Sequence, residues 1–226
     1  MEPSPQRDHH LAIFGLGATG SCLLPLVSTL GIAQITLIDG DTVEERNLIR
    51  QPLYGRDDLG LAKVKVAADR TRHLHGRRKL HIENIFADAA NIDRILKEAT
   101  MVADCTDDIH ARSLIDRTCG RLKIPLFTAA IHGSHLQVMS LHIGEDERRS
   151  LSLRSFFPGS VGGAQDACDM TNVPIEVPTI AAALIARRIT AFMNGDHAQY
   201  DLDLLDIQRG SWLRIAAPQP DDELIA

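Results

Sequence analysis

An α/β fold with a mostly parallel sheet flanked by helices is predicted by three features of this 226-residue chain. The first is an apolar run, Leu11-Ala12-Ile13-Phe14, that breaks into Gly15-Leu16-Gly17-Ala18-Thr19-Gly20 and resumes as Ser21-Cys22-Leu23-Leu24-Pro25-Leu26-Val27. This reads as strand, glycine turn and helix. Gly15 permits the tight turn, Gly17 lets backbone amides approach an anion at the positive helix end, and Gly20 lets helix and strand pack closely. The second is another strand, Gln34-Ile35-Thr36-Leu37-Ile38, ending in Asp39. About 20 residues beyond such a turn an acid can hold ribose hydroxyls. The third is the alternation of short apolar strands with helical patterns that follows. Together they describe a Rossmann-like sheet with a nucleotide site.

Taken in order, residues 1 to 10 are polar, carry two prolines and form an arm. Gly31 closes the first helix at its C′ position, and the crossover to the second strand is right-handed. Leu61 to Leu74 has apolar residues at 61, 64, 66, 67 and 74 with Lys63, Lys65 and Arg70 between them, an amphipathic helix. Leu80 to Phe86 alternates as a strand, and Asn91 to Ala99 is a short helix. Met101-Val102-Ala103 is a buried strand running into Asp104-Cys105-Thr106-Asp107-Asp108. Ligands of open parallel sheets bind beyond the carboxyl ends of strands, so these acids face the same crevice as the glycine turn. Asp108 can also cap the helix Ile109 to Arg121. Ile124 to Thr128 and Gly133 to Ile143 are the fifth and sixth strands. Residues 144 to 178 are rich in Gly, Pro, Ser and charge and form a long loop, a length that usually marks function or disorder. Thr179 to Met193 is a helix. Asp201 to Ala217 forms a C-terminal β extension of two strands turned at Arg209-Gly210, with Trp212 anchoring a face.

One domain over residues 1 to 226 is ordinary for this length. With 44% hydrophobic and 24% charged residues the chain is globular, and no apolar run approaches the roughly 20 residues needed to span a bilayer. The N-terminus lacks the basic-then-apolar pattern of a secretory signal. Four cysteines (Cys22, Cys105, Cys119, Cys168) without close pairing fit a reducing compartment, most simply the cytoplasm. A formal charge of −6 argues against an extended nucleic-acid footprint, and Arg70, Arg72, Arg77, Arg78 and Lys79 read as the solvated end of a helix and its loop. The pairs His73/His75 and His132/His135 have no Cys or carboxylate set to complete a metal sphere.

A glycine fingerprint alone most often means a dinucleotide, but the segment after Asp39 carries more than a dinucleotide needs. Asn47 and Arg50 share one face of a helical turn, and Lys63 opens the next helix. These donors suit a triphosphate better than a pyrophosphate bridge.

The sequence resembles the ThiF/MoeB/HesA adenylyltransferases, which include the catalytic domains of ubiquitin-activating enzymes. The resemblance rests on GLGATG at 15 to 20, IDGDTVEERNLIRQ at 38 to 51, Lys63 in GLAKVK and DCTDD at 104 to 108, and it covers most of the chain. It implies that Asp39 holds the ribose, that Asn47, Arg50 and Lys63 hold the phosphates of ATP, that Asp107 holds Mg2+, and that Gln51 lies beside Arg50. It further implies a homodimer or heteromeric complex whose helical arm supplies an arginine to the neighbouring site; here Arg7 is the arginine in that region. The long loop then corresponds to the family's crossing loop, where some members carry an acceptor cysteine, a position that falls to Cys168. Arg148, Arg149 and Arg154 in the same segment are surface charges or substrate contacts. The zinc held by two CxxC pairs in several members has no counterpart, because the chain has no CxxC. The implied activity is adenylation of the C-terminal carboxylate of a ubiquitin-like or sulfur-carrier protein ending in glycine. Two other readings stay open: an NAD-binding oxidoreductase, and a non-catalytic scaffold subunit of an activating complex.

Overall fold

The computed structural model describes residues 8–76, 78–143, 151–156, 173–196 and 202–215. Among them, eight strands form one sheet in the order β3-β2-β1-β4-β5-β6-β7-β8. The strands are β1 (His10–Phe14), β2 (Gln34–Ile38), β3 (Lys79–Glu83), β4 (Met101–Asp104), β5 (Leu126–His132), β6 (His135–Leu141), β7 (Leu202–Asp206) and β8 (Ser211–Ile215). The first five are parallel and the last three antiparallel. β1 pairs on one side with β2 (Phe14 opposite Ile38) and on the other with β4 (Phe14 opposite Asp104). The chain therefore winds away from β1 in both directions, and a crevice opens beyond Phe14 at the switch point.

Helices cover both faces: α1 (Ala18–Val27), α2 (Lys63–His75), α3 (Ile92–Leu96), α4 (Ile109–Leu122), α5 (Leu153–Phe156) and α6 (Glu176–Met193). Alternation along β1 divides the core. Leu11 and Ile13 share one cluster with Leu23, Leu24 and Val27 of α1, Val64 and Ala67 of α2, and Ala181, Ile185 and Ile189 of α6. Ala12 and Phe14 share the other with Ile92 and Ile95 of α3 and Ile115 and Cys119 of α4. Because both faces are covered, β1 is apolar throughout rather than alternating. Truncating a fully buried residue such as Leu23 to alanine leaves a cavity and costs about 2–5 kcal/mol.

Several boundaries differ from the sequence reading, each for a physical reason. α1 begins at Ala18, inside the glycine turn, with Gly17 as its N-cap. It ends at Val27, so Gly31 (φ +82°) belongs to the turn after the helix rather than to C′. β3 stops at Glu83, because the partner strand ends at Ile38. β5 runs on to His132 and turns through Gly133 (φ +58°) straight into β6, making an antiparallel hairpin. α6 starts before Pro178, not after it: a first-turn proline lacks only an N–H that has no helical partner anyway. Trp212 does not anchor a buried face. It is 56% exposed, and its indole N–H donates to Asp203 Oδ1 at 3.0 Å.

Asp203 is the centre of a largely buried network. Arg188 of α6 reaches it at 2.7 Å and also donates to Ser140 Oγ at 2.8 Å; Arg214 Nε donates to Asp203 at 2.9 Å. Burial alone would raise the Asp203 carboxyl, but hydrogen bonds from Arg214, Arg188 and Trp212 hold it below the ordinary carboxylate range. No helix among the described residues is long and apolar enough to cross a membrane.

Candidate functional site

A cavity of about 980 Å³ lies over the switch point between β1 and β4. Gly15, Gly17, Asp39, Asn47, Arg50, Gln51, Lys63 and Asp107 all line it. Of the predicted nucleotide-site residues only Gly20 does not, and its role is packing: a Cβ there would sit 1.9 Å from Gly15 O. Gly15 (φ +82°) is equally constrained, since a Cβ would stand 2.9 Å from the Cys105 carbonyl at the end of β4. Gly17 differs from both. The nearest atom to its added Cβ is Gln51 Nε2 at 3.8 Å, so a side chain would intrude on a backbone cradle open to the cavity.

Asp39 fixes that cradle. Leu16 N donates to its Oδ2 at 2.6 Å and Asp41 N to its Oδ1 at 2.8 Å. Burial pushes the Asp39 carboxyl up, against the pull of these two amides and of Lys63. From the other side the buried hydroxyl of Tyr54 donates to Leu16 O at 2.8 Å, so the turn is held through both its amide and its carbonyl. Burial pushes the Tyr54 phenol up, which keeps it a neutral donor.

The segment between Asp39 and Lys63 doubles back on itself. Val43 N donates to Leu61 O, and Lys63 N donates to Asp41 O at 3.0 Å. This places Lys63, 6% exposed at its side chain, with Nζ on Asp41 Oδ2 at 3.0 Å. Within the segment a 3-10 turn (Glu45–Asn47) is closed by Asn47 Oδ1, which accepts from Glu44 N at 3.1 Å and leaves the carboxamide NH2 to face the cavity. Arg50 follows one turn on, its Nη1 donating to Arg46 O at 3.1 Å. Gln51 is 4% exposed, and its Oε1 has no hydrogen-bond partner among the described residues. A buried acceptor left unsatisfied costs about 1–3 kcal/mol, so a donor on a bound ligand would be favourable at this wall.

On the β4 side, Asp108 caps α4 by accepting from Ala111 N at 2.6 Å. Asp107 is exposed to the cavity, and no described residue pairs with its carboxylate. Beneath them a buried network fixes the strand end: Asp104 accepts from Thr106 N at 3.0 Å and from Thr128 Oγ1 at 2.9 Å, and lies 3.3 Å from Arg112 Nε. Arg112 also donates to Thr128 Oγ1 and Ala129 O. At the opposite lip Phe86 packs on Gly40, where a Cβ would fall 2.6 Å from its ring, and joins Ile38 and Ile85 in an apolar wall. Ile85 and Phe86 lie beyond the end of β3.

Sequence reasoning gave no role to Asp41, Tyr54, Phe86 or Arg112. Asp41 had a signal, being the second acid of IDGD, and Arg112 lies one helical turn beyond the Asp108 cap. Tyr54 and Phe86 sit in loops with none. Arg7, Arg148, Arg149 and Cys168 lie outside the described residues; Arg154 is in α5. Burial pushes the thiols of Cys22, Cys105 and Cys119 up, so none is poised as a thiolate.

A model of the ThiF family matches residues 6–224. The chain belongs to the ThiF family. It is similar to the molybdopterin-synthase adenylyltransferase of Escherichia coli (strain K12), 31% identical over 124 residues, 55% of this chain and 50% of that protein. It is also similar to the tRNA threonylcarbamoyladenosine dehydratase of the same organism, 30% identical over 137 residues, 60% of this chain and 51% of that protein. The chain thus spans about half the length of these curated relatives. Among solved structures, E. coli MccB superposes with a TM-score of 0.80 at 18% identity, over 94% of this chain and 63% of that one. PaaA superposes with a TM-score of 0.75 at 21% identity, over 94% of this chain and 65% of that one. These structural likenesses show a shared Rossmann-like fold.

Proposed function

We propose that this ThiF-family protein adenylates a C-terminal carboxylate at the expense of ATP, and that the carboxylate belongs to a ubiquitin-like or sulfur-carrier protein ending in glycine. The observation that carries this reading is the convergence on one cavity of an open glycine cradle, the orphan acceptor of Gln51, and the donors Asn47, Arg50 and Lys63. A dinucleotide oxidoreductase has no use for that second array, and a scaffold subunit has no reason to keep it intact. Relatives named as adenylyltransferases support the same reading.

In the reaction an acceptor carboxylate oxygen bonds to the α-phosphorus, and the bond from that phosphorus to the bridging oxygen breaks. Pyrophosphate leaves with the electron pair. The nucleophile is already anionic, so no general base is needed; the enzyme aligns the carboxylate and neutralises charge. Asp39 orients the ribose, Arg50 and Lys63 meet the phosphates, and Asn47 donates to them. The cavity is lined by five aspartates (39, 41, 88, 107, 108) against four cations (Arg46, Arg50, Lys63, Arg112), so its own residues cannot neutralise a triphosphate. This favours Mg2+, which needs only one or two carboxylates beside substrate phosphates, and Asp107 is the unpaired carboxylate suited to hold it. Bound there, the cation supplies charge neutralisation at the phosphates.

The test is ATP–pyrophosphate exchange with the acceptor protein. Asp107→Ala and Arg50→Ala should each lose about 3 kcal/mol or more of transition-state stabilisation, the scale of one preorganised electrostatic group. Unchanged exchange in both overturns the site assignment. The same reading includes an oligomer that completes the site, checked by light scattering, and a cytoplasmic setting, which the free thiols of Cys22, Cys105 and Cys119 support. It also includes a thioester on Cys168, favoured because the other three thiols are pushed up and so disfavoured as thiolates. A non-reducing gel comparing wild type with Cys168→Ala checks that step: a thiol-sensitive conjugate persisting in the variant assigns it elsewhere.

A further inference from the structure

Arg46 lines the cavity but has no part in the reading above. The other three cavity cations are committed within the site. Lys63 is buried on Asp41, Arg112 is buried on Asp104 and Thr128, and Arg50 is tied through Nη1 to the Arg46 carbonyl. Arg46 alone stands at the mouth with its side chain 78% exposed, and among the described residues its sole side-chain partner is Glu44, itself 49% exposed. An exposed ion pair between near neighbours is worth about 0–1 kcal/mol, so this contact is easily exchanged for a stronger one. The backbone beneath it is fixed. Asn47 Oδ1 holds Glu44 N at 3.1 Å and Asn47 N donates to Glu44 O at 2.9 Å, so the Arg46 side chain can swing without moving the turn.

We propose that Arg46 is a polyphosphate clamp: on nucleotide binding it leaves Glu44 and binds the β- and γ-phosphates, the group that departs as pyrophosphate. The inference rests on the adenylation reading. Its place follows from the order of donors. With Asp39 and the glycine cradle at the ribose end, exposure rises from Lys63 (buried) through Arg50 (half-buried) to Arg46 (exposed), an order that suits a triphosphate running outward to Arg46. A guanidinium suits the task because it can give two parallel hydrogen bonds to phosphate oxygens. Glu44 serves as the placeholder: it keeps the cation paired when the site is empty and competes weakly with phosphate. The clamp lies in the same chain as the site, so it would supply mouth charge independently of any arm from a neighbouring subunit.

The experiment uses the full chain and isothermal titration with ATP, ADP and AMP in Mg2+, on wild type, Arg46→Ala, Arg46→Lys and Glu44→Gln. A charge-assisted pair corresponds to about tenfold or more in affinity. Arg46→Ala should therefore weaken ATP by about tenfold or more while leaving AMP unchanged, Arg46→Lys should recover part of the loss, and Glu44→Gln should not weaken ATP. In exchange assays Arg46→Ala should raise the KM for pyrophosphate. An equal loss for AMP and ATP in Arg46→Ala, or no loss for either, overturns the clamp and leaves the adenylation reading standing. Failure of wild type to bind ATP overturns both.

Discussion

Two buried aspartates, 164 positions apart, show what distinguishes the cavity of this protein from its scaffold. Asp203 in β7 is fully satisfied: Arg188, Arg214 and Trp212 all donate to it, and its carboxyl is held below the ordinary range. Asp39 at the end of β2 accepts two backbone amides, yet burial still pushes its carboxyl up. The residues around each follow suit. Near Asp39 stand an acceptor on Gln51 and a carboxylate on Asp107 with no partner among the described residues, and a glycine cradle at Gly17 that opens on the cavity. The Asp203 carboxylate draws its donors from the folded chain, whereas the cavity around Asp39 leaves polar side chains facing space that a ligand could fill. Stability and function are thus written in different parts of one sheet.

The largest effect expected from this contrast is on the Asp203 side. Asp203→Ala removes the carboxylate that pairs with Arg188, 2% exposed, and should cost about 3–5 kcal/mol, read by urea denaturation. A loss under about 1 kcal/mol would mean that the network is not what joins α6 to the hairpin. On the cavity side, Gln51→Met should behave in the opposite way. It removes an unsatisfied buried acceptor, so stability should stay level or rise by about 1 kcal/mol while the affinity for Mg2+-ATP falls. A substitution that lowered both would make Gln51 part of the scaffold.

Acid sharpens the comparison. A carboxylate held below its unfolded value, about 3.9, contributes stability that is complete above that pH and is lost as pH falls toward the lower folded value. The stability gap between wild type and Asp203→Ala should therefore narrow as pH drops from about 5 toward 2. Asp39 has the opposite sign: its raised folded value means that charging it costs stability at neutral pH, a cost relieved as pH falls through that value. Chevron-free equilibrium titrations with urea at several pH values are sufficient to separate the two slopes.

Much of this was legible in the sequence, where the signals are local. The glycine turn, the acid after β2, the Asn47/Arg50 spacing and the Asp108 cap are each decided within a few residues, and each stands where the pattern predicted. What the sequence hid depends on distant partners. Tyr54 reaches Leu16 across 38 positions, Arg112 reaches Thr128 across 16, and Arg188 reaches Asp203 across 15. The antiparallel turn after β5 was hidden for a different reason: Ala129, Ala130 and Ile131 continue the apolar strand, but the direction of the next strand is set by the conformation of Gly133. Trp212 misled because a large aromatic in an alternating strand suggests a buried face, whereas here its N–H serves the Asp203 network and its ring is exposed.

The nature of the missing partner is tested most directly by ligand-induced stabilisation of the full chain. A ligand that binds only the folded state at about 100 times its dissociation constant adds about 2.7 kcal/mol. With Mg2+ present, ATP should raise the melting temperature clearly, AMP should raise it less because it leaves the Arg50 and Lys63 side of the cavity unfilled, and NAD+ should leave it unchanged. Stabilisation by NAD+ with none by ATP would contradict the account and turn the cavity over to a dinucleotide.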